Sequence, residues 1–117
     1  MTPENFVSLI RKSIIEENLV IYKELFSSTD MNNASDPHWV RALGLYAKLN
    51  DDDKGVLFDI VRQVMVDTVS NLFAVLDGVS QLEGQEGEFS LLADPSAERL
   101  NSELQDRFLE LEEKCAK

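Results

Sequence analysis

Apolar residues recur at helical spacing in four stretches of this chain, and a capping signal opens each one. The longest stretch, Gly55–Gly78, lies near the middle of the sequence. On a wheel of about 100° per residue, Leu57, Ile60, Val61, Val64, Thr68, Leu72 and Val75 share one face. Phe58, Met65 and Leu76 widen that face, and Asp59, Gln63, Ser70, Ala74 and Asp77 fall opposite. The apolar arc spans roughly half the wheel, more than the ~100° stripe of a surface helix. A helix of this kind is expected to be covered on two sides and to be the most buried element. Its valines and isoleucine lower helix propensity, so a buried strand pair competes. The stretch runs without a turn signal, which decides for a helix, and Gly78 supplies its left-handed end.

All three prolines follow a capping residue: Thr2-Pro3, Asp36-Pro37 and Asp94-Pro95. Such pairs predict helix starts. A fourth start is predicted at Asn50-Asp51-Asp52-Asp53, where acids suit the positive end of the helix dipole. The first helix then runs from about Pro3 to Ser27, with Val7, Ile10, Ile14, Ile21 and Leu25 in one stripe and Ile15, Leu19, Tyr22 and Phe26 in another. Ser28–Ser35 reads as a polar loop. The second helix spans about Pro37 to Leu49, with Trp39, Ala42, Leu43 and Tyr46 on one face and Trp39 as its core anchor. The third helix is the central one. Residues 79–92 contain Gly84 and Gly87 around Gln85-Glu86, with Phe89 and Leu91 alternating, and predict a small hairpin. The fourth helix extends from Pro95 to about Lys114 on the stripe Ala97, Leu100, Leu104, Phe108, Leu111 and Cys115. The expected fold is therefore mainly α: one four-helix bundle-like domain over residues 1–117, with a small β-hairpin between its third and fourth helices.

Several residues break the pattern of the central helix. Asn71 falls inside the apolar arc between Ile60 and Val64, and Asp67, one turn earlier, borders it. The pair can share a hydrogen bond, hold a ligand, or bridge a neighbouring backbone segment. The last reading is preferred, because buried polar groups are as a rule paired. Glu17 and Glu24 border a stripe of the first helix, and Glu17 joins Asp67 and Asn71 as a ligand candidate. Solvated edge positions are the plainer reading of the glutamates. Val66 and Phe73 depart the other way, lying beside Arg62 on the otherwise polar side. These three are the interface candidates. Covering a partner chain in a homodimer and packing under the chain's own hairpin weigh equally.

Composition narrows the function without naming it. The chain of 117 residues carries 22 acidic and 11 basic residues, a net charge of −11. The acid is spread along its length. Such a surface repels nucleic acid and anionic lipid and suits a soluble protein or one that meets a basic partner. The N-terminal residues lack the basic start and apolar run of a signal peptide, and charges interrupt every candidate membrane span. A cytoplasmic location is expected. With one cysteine, Cys115, no internal disulfide forms. The single histidine, His38, has no second histidine or paired cysteine to share a metal with, so neither metal nor cofactor is expected. Nucleotide-binding loops, nucleophile elbows and zinc-protease motifs are missing from the sequence. The expectation is a non-enzymatic acidic interaction module for a basic protein partner, in the manner of immunity or antitoxin proteins. A structural homo-oligomer, or a small-ligand or metal site around Asp67 and Asn71, is the alternative.

Overall fold

Thr2, Asp36 and Asn50 each cap a helix in the structure, a computed structural model that describes residues 1–29 and 35–115. Thr2 Oγ1 accepts from the Asn5 amide at 3.1 Å, Asp36 Oδ1 from His38 at 2.8 Å and Asn50 Oδ1 from Asp53 at 2.8 Å. Each oxygen satisfies an amide that the first helical turn leaves without a partner. The capped helices are α1 (Pro3–Ile10), α3 (Pro37–Ala47) and α4 (Asp51–Leu76). From α1 the backbone passes without a break into a π-helical segment (Arg11–Glu17) and then α2 (Asn18–Ser28). These pieces form one rod over the predicted first helix. The wider π turn lets residues five apart meet, and Arg11 Nη2 donates to Glu16 Oε1 at 2.8 Å. Part of the predicted Ser28–Ser35 loop, residues 30–34, lies outside the described residues.

The fourth predicted start is corrected. Asp94-Pro95 opens no helix. It belongs to the turn of a two-stranded antiparallel hairpin, β1 (Leu92–Ala93) with β2 (Glu98–Arg99), paired Leu92 with Arg99 and Ala93 with Glu98. The Asp94–Pro95 peptide is cis, and Ala97, at φ 55°, donates its amide to the Ala93 carbonyl at 2.7 Å. The last helix, α5, is Leu104–Cys115. Its cap comes from far away in sequence: the Asp77 carboxylate accepts from the amides of Ser102 and Gln105, both at 2.9 Å.

The molecule is thus mainly helical with one small hairpin between its last two helices, as the pattern predicts, but the hairpin sits later in the chain than residues 79–92. Residues 79–91 form a connecting arm. Gly84 and Gly87 take positive φ there, and the Gln85 side chain substitutes for a ladder. Its Oε1 accepts from the Leu82 amide and its Nε2 donates to the Gly87 carbonyl, both at 2.9 Å.

The core joins the rod, α4 and α5 through Val7, Ile15, Val66, Val69, Phe73, Leu104 and Phe108. The rings of Phe73 and Phe108 meet edge-on with centroids 5.6 Å apart. The far end is held by aromatic side chains. Phe26 of α2 packs on Trp39 and Tyr46 of α3 and on Phe58 of α4, with centroids 5.6, 5.1 and 5.9 Å away. Between arm and helices lies Asn101, only 1 % exposed. It donates to the carbonyls of Leu76 and Phe89 and accepts from the Leu91 amide.

The orientation of α4 differs from the wheel reading. Its buried residues are Phe58, Val66, Val69, Ser70, Phe73 and Ala74. Ile60, Val64 and Leu72, placed by the wheel on the inner face, are 57 %, 59 % and 57 % exposed. Both sides of α4 are apolar, and the side that carries two phenylalanines faces inward. A phenylalanine removes more surface from water than a valine, so the ring-bearing side gains more from burial.

Candidate functional site

The bare side of α4 is the feature of the surface that asks for an explanation. Isolated exposed aliphatics are ordinary, whereas a contiguous apolar area marks an interaction site. Beside α2 it forms an open groove lined by Asn18 and Tyr22 from the rod and by Ile60, Val61, Val64 and Met65 from α4. The apolar surface continues beyond the groove. Val56 stands one turn before Ile60 and is 53 % exposed. On the rod, Ile14, Ile21 and Leu25 stand at helical spacing from Asn18, and all are exposed. The local cause is the breadth of the apolar arc on both helices. Each buries one stripe in the core (Val7, Ile15 and Leu19 from the rod, Val66, Val69 and Phe73 from α4) and has a second stripe left over.

The two polar candidates of α4 lie on this bare side. Asp67 and Asn71 are both exposed, and Asp67 accepts a hydrogen bond from Gln63 Nε2 at 2.9 Å. The preferred expectation, a buried pair bridging a backbone segment, is corrected by that exposure. Glu17 is exposed on the rod, beside Lys12, Glu16, Val20 and Ile21. Among the described residues no group of three or more His, Cys, Asp or Glu side chains is placed to hold a metal. His38 is exposed, with its ring edge-on to Trp39 at 5.8 Å. Trp39 is half-buried in the aromatic cluster. Cys115, the last residue of α5, is an exposed free thiol.

The interface candidates Val66 and Phe73 are corrected as well. They are 7 % and 3 % exposed and lie in the chain's own core, so neither presents a surface to a partner, and Leu91 of the arm packs against that same core. Arg62 stands on the same inward side, which explains why the wheel grouped the three. Its Nη1 donates to Glu112 Oε2 at 2.8 Å, and its Nη2 donates to Glu112 Oε1 at 3.1 Å and Glu16 Oε1 at 3.0 Å. Arg11 Nε donates to Glu112 Oε1 at 2.8 Å. Two arginines and two glutamates thereby tie the π segment, α4 and α5 together. The hydrogen bonds to Glu112 hold the Arg62 guanidinium firmly protonated against partial desolvation, with Glu16 adding to them. Burial pushes the Glu112 carboxyl upward, but the hydrogen bonds from Arg62 and Arg11 and their charges outweigh it. The net effect is a lowered pKa. This network is charge-balanced, each arginine facing both glutamates, and it braces the fold.

The groove residues Asn18, Tyr22, Ile60, Val64 and Met65 were not singled out as a site by sequence reasoning. The signal was present in the breadth of the two apolar arcs, which is more than one contact between the helices can cover. No protein-family model, curated protein or solved structure matches the chain. Among the described residues no helix is long and apolar enough to cross a membrane.

Proposed function

We propose that this chain is a non-enzymatic protein-interaction module that docks through the apolar side shared by the rod and α4. The carrying observation is the exposure of Ile60 and Val64 beside Tyr22 in one groove. Side chains of that kind gain free energy when another protein removes them from water, at roughly 25 cal/mol per Å². The test is photocrosslinking in intact cells with a benzophenone amino acid at Val64, and with the same label at exposed Glu113 of α5 as control. A discrete protein adduct at Val64 and none at Glu113 is expected. Equal labelling at both positions, or no adduct at Val64, overturns the proposal.

A second reading has its own support in the charge. A net −11, with exposed Asp51, Asp52 and Asp53 opening α4 and exposed Glu83, Glu86 and Glu88 on the arm, suits a basic protein partner in the cytoplasm, as for an immunity or antitoxin protein. Binding of that kind weakens as salt rises, because salt screens attraction between unlike charges. A basic partner whose affinity holds constant between low and high salt would count against it.

A further inference from the structure

We infer that the occupant of the apolar side is a second copy of this chain, giving a two-fold symmetric dimer. The inference rests on the docking reading above and adds the identity of the partner. Its first support is surface area. A folded monomer of 13.2 kDa scales to an accessible surface of about 6,400 Å², and this chain exposes 8278 Å². The excess, about 1,900 Å² per chain, is spread over the whole molecule, the arm included, so two chains offer at most about 3,700 Å², a ceiling within the ~2,000–5,000 Å² that obligate homodimers bury. Shape agrees with area. The radius of gyration is 17.9 Å, against about 13 Å for a chain of this length packed on its own.

The second support is the chemistry of the groove. Asn18, Tyr22, Ile60, Val61, Val64 and Met65 line it, and none is charged. A basic partner finds no carboxylate there to pair with. The complement has to be an uncharged, mostly apolar helical surface of similar extent, and this chain presents one. A symmetric contact requires each patch to match itself. Aliphatic side chains do so, and an asparagine does so too, because its amide both donates and accepts. Asp67 cannot meet its own copy without repulsion. The axis therefore passes near Ile60 and Val64, and Asp67 falls towards the rim. An asparagine such as Asn18 in a seam of this kind fixes register.

Charge sets the salt response. Two chains of −11 repel each other, so screening strengthens their association. A basic partner would show the opposite trend, which separates the two modes of binding.

The experiment is sedimentation equilibrium of the purified full chain over a wide concentration range at low and high salt, with circular dichroism run in parallel. The parent is expected at twice 13.2 kDa, with tighter association at higher salt. Val64→Glu should weaken association by about a thousandfold, since a central substitution enters a symmetric contact twice, while Val79→Glu on the arm, at a still more exposed position, leaves it unchanged. If Val64→Glu lowers helicity, Val64→Ser takes its place, with about a tenfold weakening expected from partial loss of apolar contact. A parent that stays monomeric throughout, a Val64→Glu chain that folds and still dimerises, or association that weakens with salt would each overturn the inference. A monomeric parent that still crosslinks to a different protein at Val64 leaves the docking proposal standing. A monomeric parent without any crosslink ends both.

Discussion

Arg62 of α4 and Glu112 of α5 meet in a two-point ion pair, with Nη1 to Oε2 at 2.8 Å and Nη2 to Oε1 at 3.1 Å. The Glu112 side chain is only 12 % exposed and accepts from Arg11 as well. Planar guanidinium and carboxylate groups match at two points, so the pair fixes orientation as well as distance.

The lowered pKa of Glu112 makes this pair sensitive to acid. A carboxyl whose pKa is lower in the folded than in the unfolded chain contributes stability above its unfolded value, near 4.3, and loses it as pH falls through the folded value. Glu112→Gln is expected to reduce stability at neutral pH by about 2 kcal/mol, the scale of charged hydrogen bonds at a partly screened site. The gap between parent and variant should narrow below about pH 4. Urea unfolding at neutral pH and in acid measures both. Arg62 titrates above the range in which proteins are handled, so it adds no slope there.

Asn101 is the second sensitive point. Its carboxamide serves the Leu76 and Phe89 carbonyls and the Leu91 amide at a site 1 % exposed. Asn101→Leu leaves those backbone groups without partners and is expected to cost about 3 kcal/mol. Asn101→Asp should recover little, because it keeps an acceptor for Leu91 but loses both donated bonds. Chemical unfolding of the two variants gives the comparison.

Val66 and Val64, two positions apart on α4, separate the two sides of the helix. Val66 is 7 % exposed and Val64 59 %. Val66→Ala should cost about 2 kcal/mol at any protein concentration. Val64→Ala should change monomer stability by less than about 0.5 kcal/mol. Unfolding measured at high dilution gives the contrast, and a larger loss at Val64 than at Val66 would reverse the assignment of inner and outer sides.

Asp77→Ala should free the Ser102 and Gln105 amides that its carboxylate accepts. A lost cap of this type costs about 1–2 kcal/mol. Hydrogen exchange is the sharper measurement: those two amides should exchange faster while the Val69 amide, in the middle of α4, keeps its protection.

Local chemistry was legible in the sequence. Thr2, Asp36 and Asn50 announce their helices because a cap acts within three residues of itself, and Gly78 ends α4 with φ at 80° as the pattern demands. The inner side of α4 was not legible. A wheel sorts apolar from polar, and Val64 and Val66 are the same residue type on opposite sides. Only the ring pair Phe73–Phe108, made with a distant helix, shows which side is inside. Pro95 misled for a related reason. Asp-Pro reads alike at the start of a helix and in a turn, and here it lies in the turn between β1 and β2 while α5 starts later and takes its cap from Asp77. The bracing network of Arg11, Glu16, Arg62 and Glu112 was hidden too, since nothing in the spacing of four charges in a chain this rich in them brings them together.

The double use of Asp77 has a consequence for what this chain can tolerate. Its backbone closes α4 while its side chain opens α5, so residues 25 positions apart are held at one point. The relative placement of the two helices is then set at the base of the connection and is indifferent to the length of what loops out from it. Extra residues spliced between Gly84 and Gly87 should lengthen the excursion for only a small entropic penalty, about 0.6 kcal/mol per doubling. That stretch is where a tag or a foreign peptide can be carried without disturbing the helical scaffold.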